Sequence, residues 1–309
     1  MIKSFKIFAF LFTGAFLLFS CDSDIPVEQL KAKYLKSNSA FIDIDGVSVH
    51  YILEGKVDDS LPIVFIHGTS ASLHTWDTLS NLLKTNKKII RFDLPAFGLT
   101  GPNRLNQYNF NYYNQFLDQL LLKLNVSKCI LAGNSLGGSI AWNYAIASPD
   151  KVKQLILLDA SGYPKKDEKG SLGFKLAAIP VLNQALKHIS PISLIRKSLE
   201  DAFYNKALVT DKMVRQYHDL LLREGNRGAV LELFQHPMKP DATKIKTITQ
   251  PTLIIWGKQD QLISYNNAAL FKQDIQDSRV LVLDKVGHIP MEEAPNQVAA
   301  AIFEFIKKG

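Results

Sequence analysis

Cys129-Ile130-Leu131-Ala132-Gly133-Asn134-Ser135-Leu136-Gly137-Gly138-Ser139-Ile140-Ala141-Trp142-Asn143-Tyr144-Ala145 is the stretch whose reading decides the fold. It opens as an apolar run, passes through glycines on both sides of a serine, and continues with Ile140, Ala141, Tyr144 and Ala145 at helical spacing until Pro149 stops it. The pattern predicts a strand, a tight turn and a helix, with Ser135 at the apex. Side chains two residues before and after such a serine would collide with the turn, so Gly133 and Gly137 relieve the crowding and leave the hydroxyl exposed. The free N–H groups of the helix start favour negative charge on a reacting oxygen. Alone the G-x-S-x-G pattern is weak, because a flexible glycine turn with a capping serine would satisfy it equally.

A serine nucleophile needs a base, an acid to orient the base, and N–H donors for the oxyanion. Downstream, the apolar run Thr252 to Trp256 ends in Gly257-Lys258-Gln259-Asp260, and Val280 to Leu283 is followed by Asp284-Lys285-Val286-Gly287-His288. Asp260 and His288 both fall just past the carboxyl ends of predicted strands, where open α/β sheets place their sites. The chain order Ser, Asp, His is that of a nucleophile elbow. A second acid, Asp159, ends the apolar strand that starts at Val152, so the residues alone leave two candidates for the orienting acid.

On these residues the chain resembles the α/β-hydrolase superfamily, in its serine-nucleophile branches of small-ester and carbon–carbon-bond hydrolases with a helical cap. The likeness spans residues 41–309. It is carried by His67-Gly68-Thr69 after strand Ile63 to Ile66, Asp93-Leu94-Pro95-Ala96-Phe97-Gly98 after strand Lys88 to Phe92, the serine elbow, Trp256-Gly257-Lys258-Gln259-Asp260, and Gly287-His288. Ala96 departs from the pattern, since glycine is commoner there. The resemblance implies an α/β fold with a mostly parallel central sheet of about eight strands flanked by helices and interrupted by an inserted helical cap. It implies a triad of Ser135, His288 and Asp260, with Asp159 as the alternative acid, and an oxyanion hole from the Thr69 and Leu136 N–H groups. It implies neither cofactor nor metal. The substrate expected is a small-molecule ester, or a vinylogous diketone in the carbon–carbon branch. A ligand-binding lipoprotein on a hydrolase scaffold is the non-enzyme alternative. Epoxide hydrolases and dehalogenases need a carboxylate where Ser135 stands.

The start of the chain is different in kind. Lys3 and Lys6 precede an uncharged run from Ile7 to Phe19, which is shorter than the ~20 residues a spanning helix needs. Leu18-Phe19-Ser20-Cys21 resembles a bacterial lipoprotein processing site, which implies a signal over 1–20, lipidation at Cys21 and a membrane-anchored place in the cell envelope. A plain secreted or periplasmic protein is the alternative. Loss of residues 1–20 would remove Lys3 and Lys6 and no acid, taking the formal charge from +7 to +5. With Cys21 acylated, the second cysteine, Cys129, has no partner for a disulfide.

The +7 charge is spread in pairs such as Lys87-Lys88 and Lys307-Lys308 with no long basic block, so a solvated surface is the better reading than nucleic-acid binding. Residues 21–40 are polar and are expected to form a tether. The first part of the core is expected over 41–161, a cap over 162–247 and the second part of the core over 248–309. Asp45-Gly46 signals a hairpin. Within the cap, strand signals vanish and helices are expected over Leu172 to Ile189, Ile192 to Tyr204, Asp211 to Arg223 and Gly228 to Phe234. Phe174, Leu176, Ile179, Leu182, Phe203, Leu231 and Phe234 either line an acyl pocket or pack the cap onto the core. His67 and Asp93 are expected to fix loops, His74 and Trp76 to stand at the pocket rim, and Glu292 and Glu293 to favour the start of the last helix.

Overall fold

The computed structural model describes residues 23–164 and 189–308. The segment expected as a signal, Cys21, and the cap positions Phe174, Leu176, Ile179 and Leu182 lie outside the described residues.

The sheet has eight strands: β1 (Ser39–Ile44), β2 (Val47–Gly55), β3 (Ile63–Ile66), β4 (Lys88–Phe92), β5 (Cys129–Asn134), β6 (Val152–Leu158), β7 (Thr252–Gly257) and β8 (Ser278–Leu283). Their order is β1-β2-β4-β3-β5-β6-β7-β8. The β1/β2 and β2/β4 pairs are antiparallel and every later pair is parallel. The β1–β2 hairpin turns through Asp45 and Gly46, both at positive φ (52° and 75°), the conformation that two-residue hairpin loops require. All residues of β3, β5 and β7 are buried, because helices cover both faces, and a strand so covered has no reason to alternate.

One face carries α2 (Asp77–Leu83) in contact with the final helix (Pro295–Lys308). The other carries α3 (Phe110–Lys123) packed on α4 (Leu136–Ala147). Trp76, Trp142 and Trp256 are fully buried between these layers. Cys129 is buried in β5, and burial pushes its thiol up to about 12.

Between β6 and β7 the described part of the cap is helical: α5 (Ile192–Ala202), α6 (Asp211–Leu221) and α7 (Asn226–Gln235). Each lies within a residue or two of the stretch expected from sequence. After β7 come α8 (Asn266–Asp274), then past β8 the short α9 (Pro290–Glu293) and α10, the final helix just given.

Three local expectations are corrected. The segment expected as a tether contains α1 (Val27–Tyr34), which is docked on the cap. Leu30 is buried with Leu99 and Leu220, Ile25 N donates to Leu222 O at 2.7 Å, and Arg227 pairs with Asp24. Trp76 belongs to a 3-10 turn (Leu73–Trp76) that aims inward and stacks on Phe65 at 4.5 Å, and neither it nor His74 reaches the cavity rim. Glu292 and Glu293 sit in α9 and tie the core to the cap: Glu292 accepts from the Thr75 and Tyr217 hydroxyls, and Glu293 from the N–H groups of Tyr204, Asn205 and Gly287. Among the described residues no helix is long and apolar enough to cross a membrane.

Candidate active site

The turn from β5 into α4 holds Ser135 at φ 54° and ψ −116°, a conformation that costs a non-glycine residue on the order of 1–3 kcal/mol. Its neighbours make room. A Cβ on Gly133 would stand 2.2 Å from Gly137 O, and one on Gly137 would stand 2.2 Å from Ile66 O. The backbone is anchored on both sides by Ser135 N donating to Leu158 O (3.1 Å) and Ser161 N donating to Ser135 O (3.1 Å). Ser135 is therefore held half-buried at the start of α4, where Leu136 N–H, as the first helical residue, has no intrahelical acceptor.

His288 and Asp260 meet on the loops after β8 and β7, with His288 Nδ1 2.7 Å from Asp260 Oδ2. Both side chains are nearly or fully closed to solvent. Asp260 Oδ1 accepts from Leu262 N (2.7 Å) and Ile263 N (3.0 Å), which fixes the carboxylate. A Cβ on Gly257 would fall 1.9 Å from Gly287 O, so only glycine lets the two loops approach this closely. His288 is held further by its N–H donating to Ala202 O at 2.7 Å, from the end of α5, and by Asn134 Nδ2 donating to its carbonyl at 3.0 Å.

Ser135, His288, Gly68 and Thr69 line one cavity. Its far wall comes from the cap, through Leu194, Ile195, Leu199, Leu221, Val230, Leu231 and Phe234, with Tyr217, Ser190 and Arg227 as polar members. Leu231 and Phe234 are thus pocket residues, whereas Phe203 is buried outside the lining. Asp159, the other acid considered, is fully buried; its Oδ1 accepts from Gly257 N at 2.9 Å, and one of its oxygens lies within 4.8 Å of both the Asp260 and His288 ligand atoms. The pairing to His288 Nδ1 belongs to Asp260.

His67 and Asp93 fix loops, as expected. Leu94 N donates to His67 Nε2 at 2.9 Å, joining the loops after β3 and β4. Burial and the loss of solvation lower the His67 imidazole below its ordinary value. Asp93 accepts from Leu73 N (2.7 Å), Leu99 N (2.8 Å) and His50 Nδ1 (2.8 Å). Burial works to raise its carboxyl, but His50, His67 and His74 together outweigh that and hold it at about 2. Ser39 Oγ lies 2.9 Å from His50 Nε2, so Ser39, His50 and Asp93 copy the connectivity of a triad. They stand away from the cavity lining.

A family model described as alpha/beta hydrolase fold matches residues 62–295. The chain belongs to the alpha/beta hydrolase family. Among relatives within it, the uncharacterized hydrolase YugF of Bacillus subtilis (strain 168) is 27% identical over 270 residues, covering 85% of this chain and 96% of that one. The monoacylglycerol lipase ABHD6 of Homo sapiens is 26% identical over 268 residues, covering 83% and 78%. In fold the chain is similar to the meta-cleavage product hydrolase of Pseudomonas fluorescens IP01, with a TM-score of 0.75 and 23% identity over 87% of this chain and 97% of that one. For an alpha/beta hydrolase the cavity and elbow lie where the fold places its site, outside the carboxyl ends of the parallel strands.

Sequence reasoning missed Asn134, Glu293, Tyr217 and Arg227 as site-building residues. Only Asn134 carried a local signal, its place beside the serine. The others act across the cap and carry no motif.

Proposed function

We propose that the chain is a serine hydrolase that cleaves a small or medium acyl ester through Ser135, His288 and Asp260. The observation that carries this reading is a strained serine at a helix start, sharing an apolar cavity with a histidine whose other ring nitrogen is tied to a buried carboxylate. With Nδ1 donating to Asp260, His288 Nε2 is the base that takes the Ser135 proton as Oγ attacks the ester carbonyl. Asp260 steadies the imidazolium, and the Thr69 and Leu136 N–H groups receive the oxyanion. His288 then protonates the leaving alcohol, and water repeats the sequence on the acyl-enzyme to release the acid.

The apolar cap wall suits an acyl chain, in keeping with the lipase name of the human relative. The cap limits water at the reacting carbonyl. The lipoprotein-like start supports a place on a membrane of the cell envelope through lipid on Cys21, and the domain division that goes with this reading is 41–161, 162–247 and 248–309. Asp24, close behind Cys21 in sequence, already reaches the cap at Arg227.

The test is labelling of Ser135 by a fluorophosphonate probe together with turnover of p-nitrophenyl esters of graded acyl length. Labelling with turnover that peaks at short or medium chains supports the reading. Turnover of a vinylogous diketone but of no ester would reassign the bond cleaved, and absence of labelling would return the chain to a ligand-binding role. Mass spectrometry of the native N-terminus, with Cys21→Ser as control, tests the anchor.

A further inference from the structure

Beside the Asp260–His288 pair stands a second acid that the proposed reaction does not use. Asp159 sits at the end of β6 in a left-handed conformation, φ 45°, that only a well-determined environment sustains in a non-glycine residue. It is wholly buried, and while Oδ1 takes the Gly257 N–H, Oδ2 is buried without a hydrogen-bond partner. The titratable groups around it are Asp260, His288 and Glu293, so two of its three neighbours are carboxyls. A carboxylate left here would be an unpaired buried charge beside another carboxylate, an arrangement proteins avoid by keeping one proton.

Asp260 has the complementary vacancy. A carboxylate offers about four acceptor sites, and Asp260 fills three of them with Leu262 N, Ile263 N and His288 Nδ1. The orphaned oxygen and the unfilled site belong to neighbouring groups whose ligand atoms lie within 4.8 Å.

We propose that Asp159 is a positioning residue for Asp260: it carries a proton on Oδ2 and donates it as a hydrogen bond to the remaining acceptor site of the Asp260 carboxylate. This role rests on the triad reading above. The donated bond draws charge away from Asp260, fixes its plane and restrains how strongly it attracts the proton of His288. Burial first, and the Asp260 charge second, push the Asp159 carboxyl well above the usual range, in accord with the neutral form.

The test compares the full chain with Asp159→Asn and Asp159→Ala. Two readouts are used: the pH profile of kcat/KM on a p-nitrophenyl ester, and the His288 titration followed by NMR, which needs no turnover. Asparagine keeps an acceptor for Gly257 N and a donor toward Asp260, so its kcat/KM stays within about threefold of wild type and the His288 midpoint is unmoved. Alanine removes the donor and concentrates charge on Asp260, so the His288 midpoint rises by about half a unit or more and kcat/KM falls about tenfold. An Asp159→Asn midpoint well below wild type would mean a negative charge had been removed, and the proposal would fail. It would also fail if Asp159→Asn abolished turnover while Asp260→Asn kept it, if Asp159→Ala left both readouts unchanged, or if a chelator shifted the wild-type His288 titration, which would put a cation where the proton is assigned. If wild type turned over no ester, the ester reading alone would be lost, since the His288 titration reports the Asp159 coupling by itself.

Discussion

The side-chain amide of Asn134 is bonded to the backbone of His288: Nδ2 donates to His288 O at 3.0 Å and, with its other hydrogen, to Leu158 O at 3.1 Å. The residue before the proposed nucleophile therefore sets the height of the loop that carries the proposed base. Asn134→Ala frees that loop, and Asn134→Asp does the same because a carboxylate cannot donate. Each is expected to lower kcat by about 10- to 100-fold with little change in KM, as expected when a reacting group is displaced without loss of substrate contacts. Ester kinetics on the two variants check this, and a wild-type kcat in both would remove Asn134 from the site.

Ser135→Ala keeps the backbone anchors to Leu158 and Ser161 and bears the same positive φ, so the fold is retained. Its melting curve is expected within about 1 kcal/mol of wild type, whereas ester turnover falls by several orders of magnitude. Circular dichroism and a p-nitrophenyl ester assay on one preparation separate the two effects.

The parts of the molecule legible in the sequence are those decided locally. The continuous apolar runs of β3, β5 and β7 announce strands covered on both faces. The glycines around Ser135 announce a turn whose geometry admits nothing larger. What stayed hidden depends on partners far away in the chain. Helix α1 looked like a spacer because Leu30 is its sole buried side chain, and the surface that receives it is formed by Leu220 and Leu99. Glu292 and Glu293 looked like charges placed for a helix start, yet Tyr217 and the backbone of Tyr204 and Asn205 claim them from the cap. Trp76 was misplaced because the short 3-10 turn that carries it aims its ring at Phe65, a partner on β3 that no local motif announces.

The docking of α1 should be dominated by its apolar plug. Leu30 is 1% exposed, so Leu30→Ala is expected to cost about 2–3 kcal/mol and to expose the N-terminal segment to proteolysis. Lys33, half-exposed in its pair with Asp219, should matter far less: Lys33→Ala is expected to change stability by under about 1 kcal/mol. Urea unfolding and limited proteolysis of the two variants check the contrast, and equal effects would show that the ion pair holds the helix as firmly as Leu30 does.

Glu292 gives the fold a pH dependence of definite sign. Its residue keeps some solvent contact, but the carboxyl lies under Tyr217 and Thr75. Burial raises it from an ordinary 4.5 to about 7, Asp77 adds to the rise, and the two hydroxyls oppose it. In the unfolded chain the group loses its proton near 4.5, while in the fold it keeps the proton until about 7. Its contribution to stability is therefore complete below 4.5, declines as pH rises through this window, and is gone above about 7. The total is at most about 3 kcal/mol. Glu292→Gln removes the titration and keeps both hydroxyl contacts, so the variant is expected to gain on wild type steadily between pH 5 and about 8. Urea unfolding of both proteins at unit steps of pH measures that difference. Parallel stability curves would show that Glu292 is ionised in the fold throughout, and that the bond from Tyr217 joins the cap to a charged carboxylate.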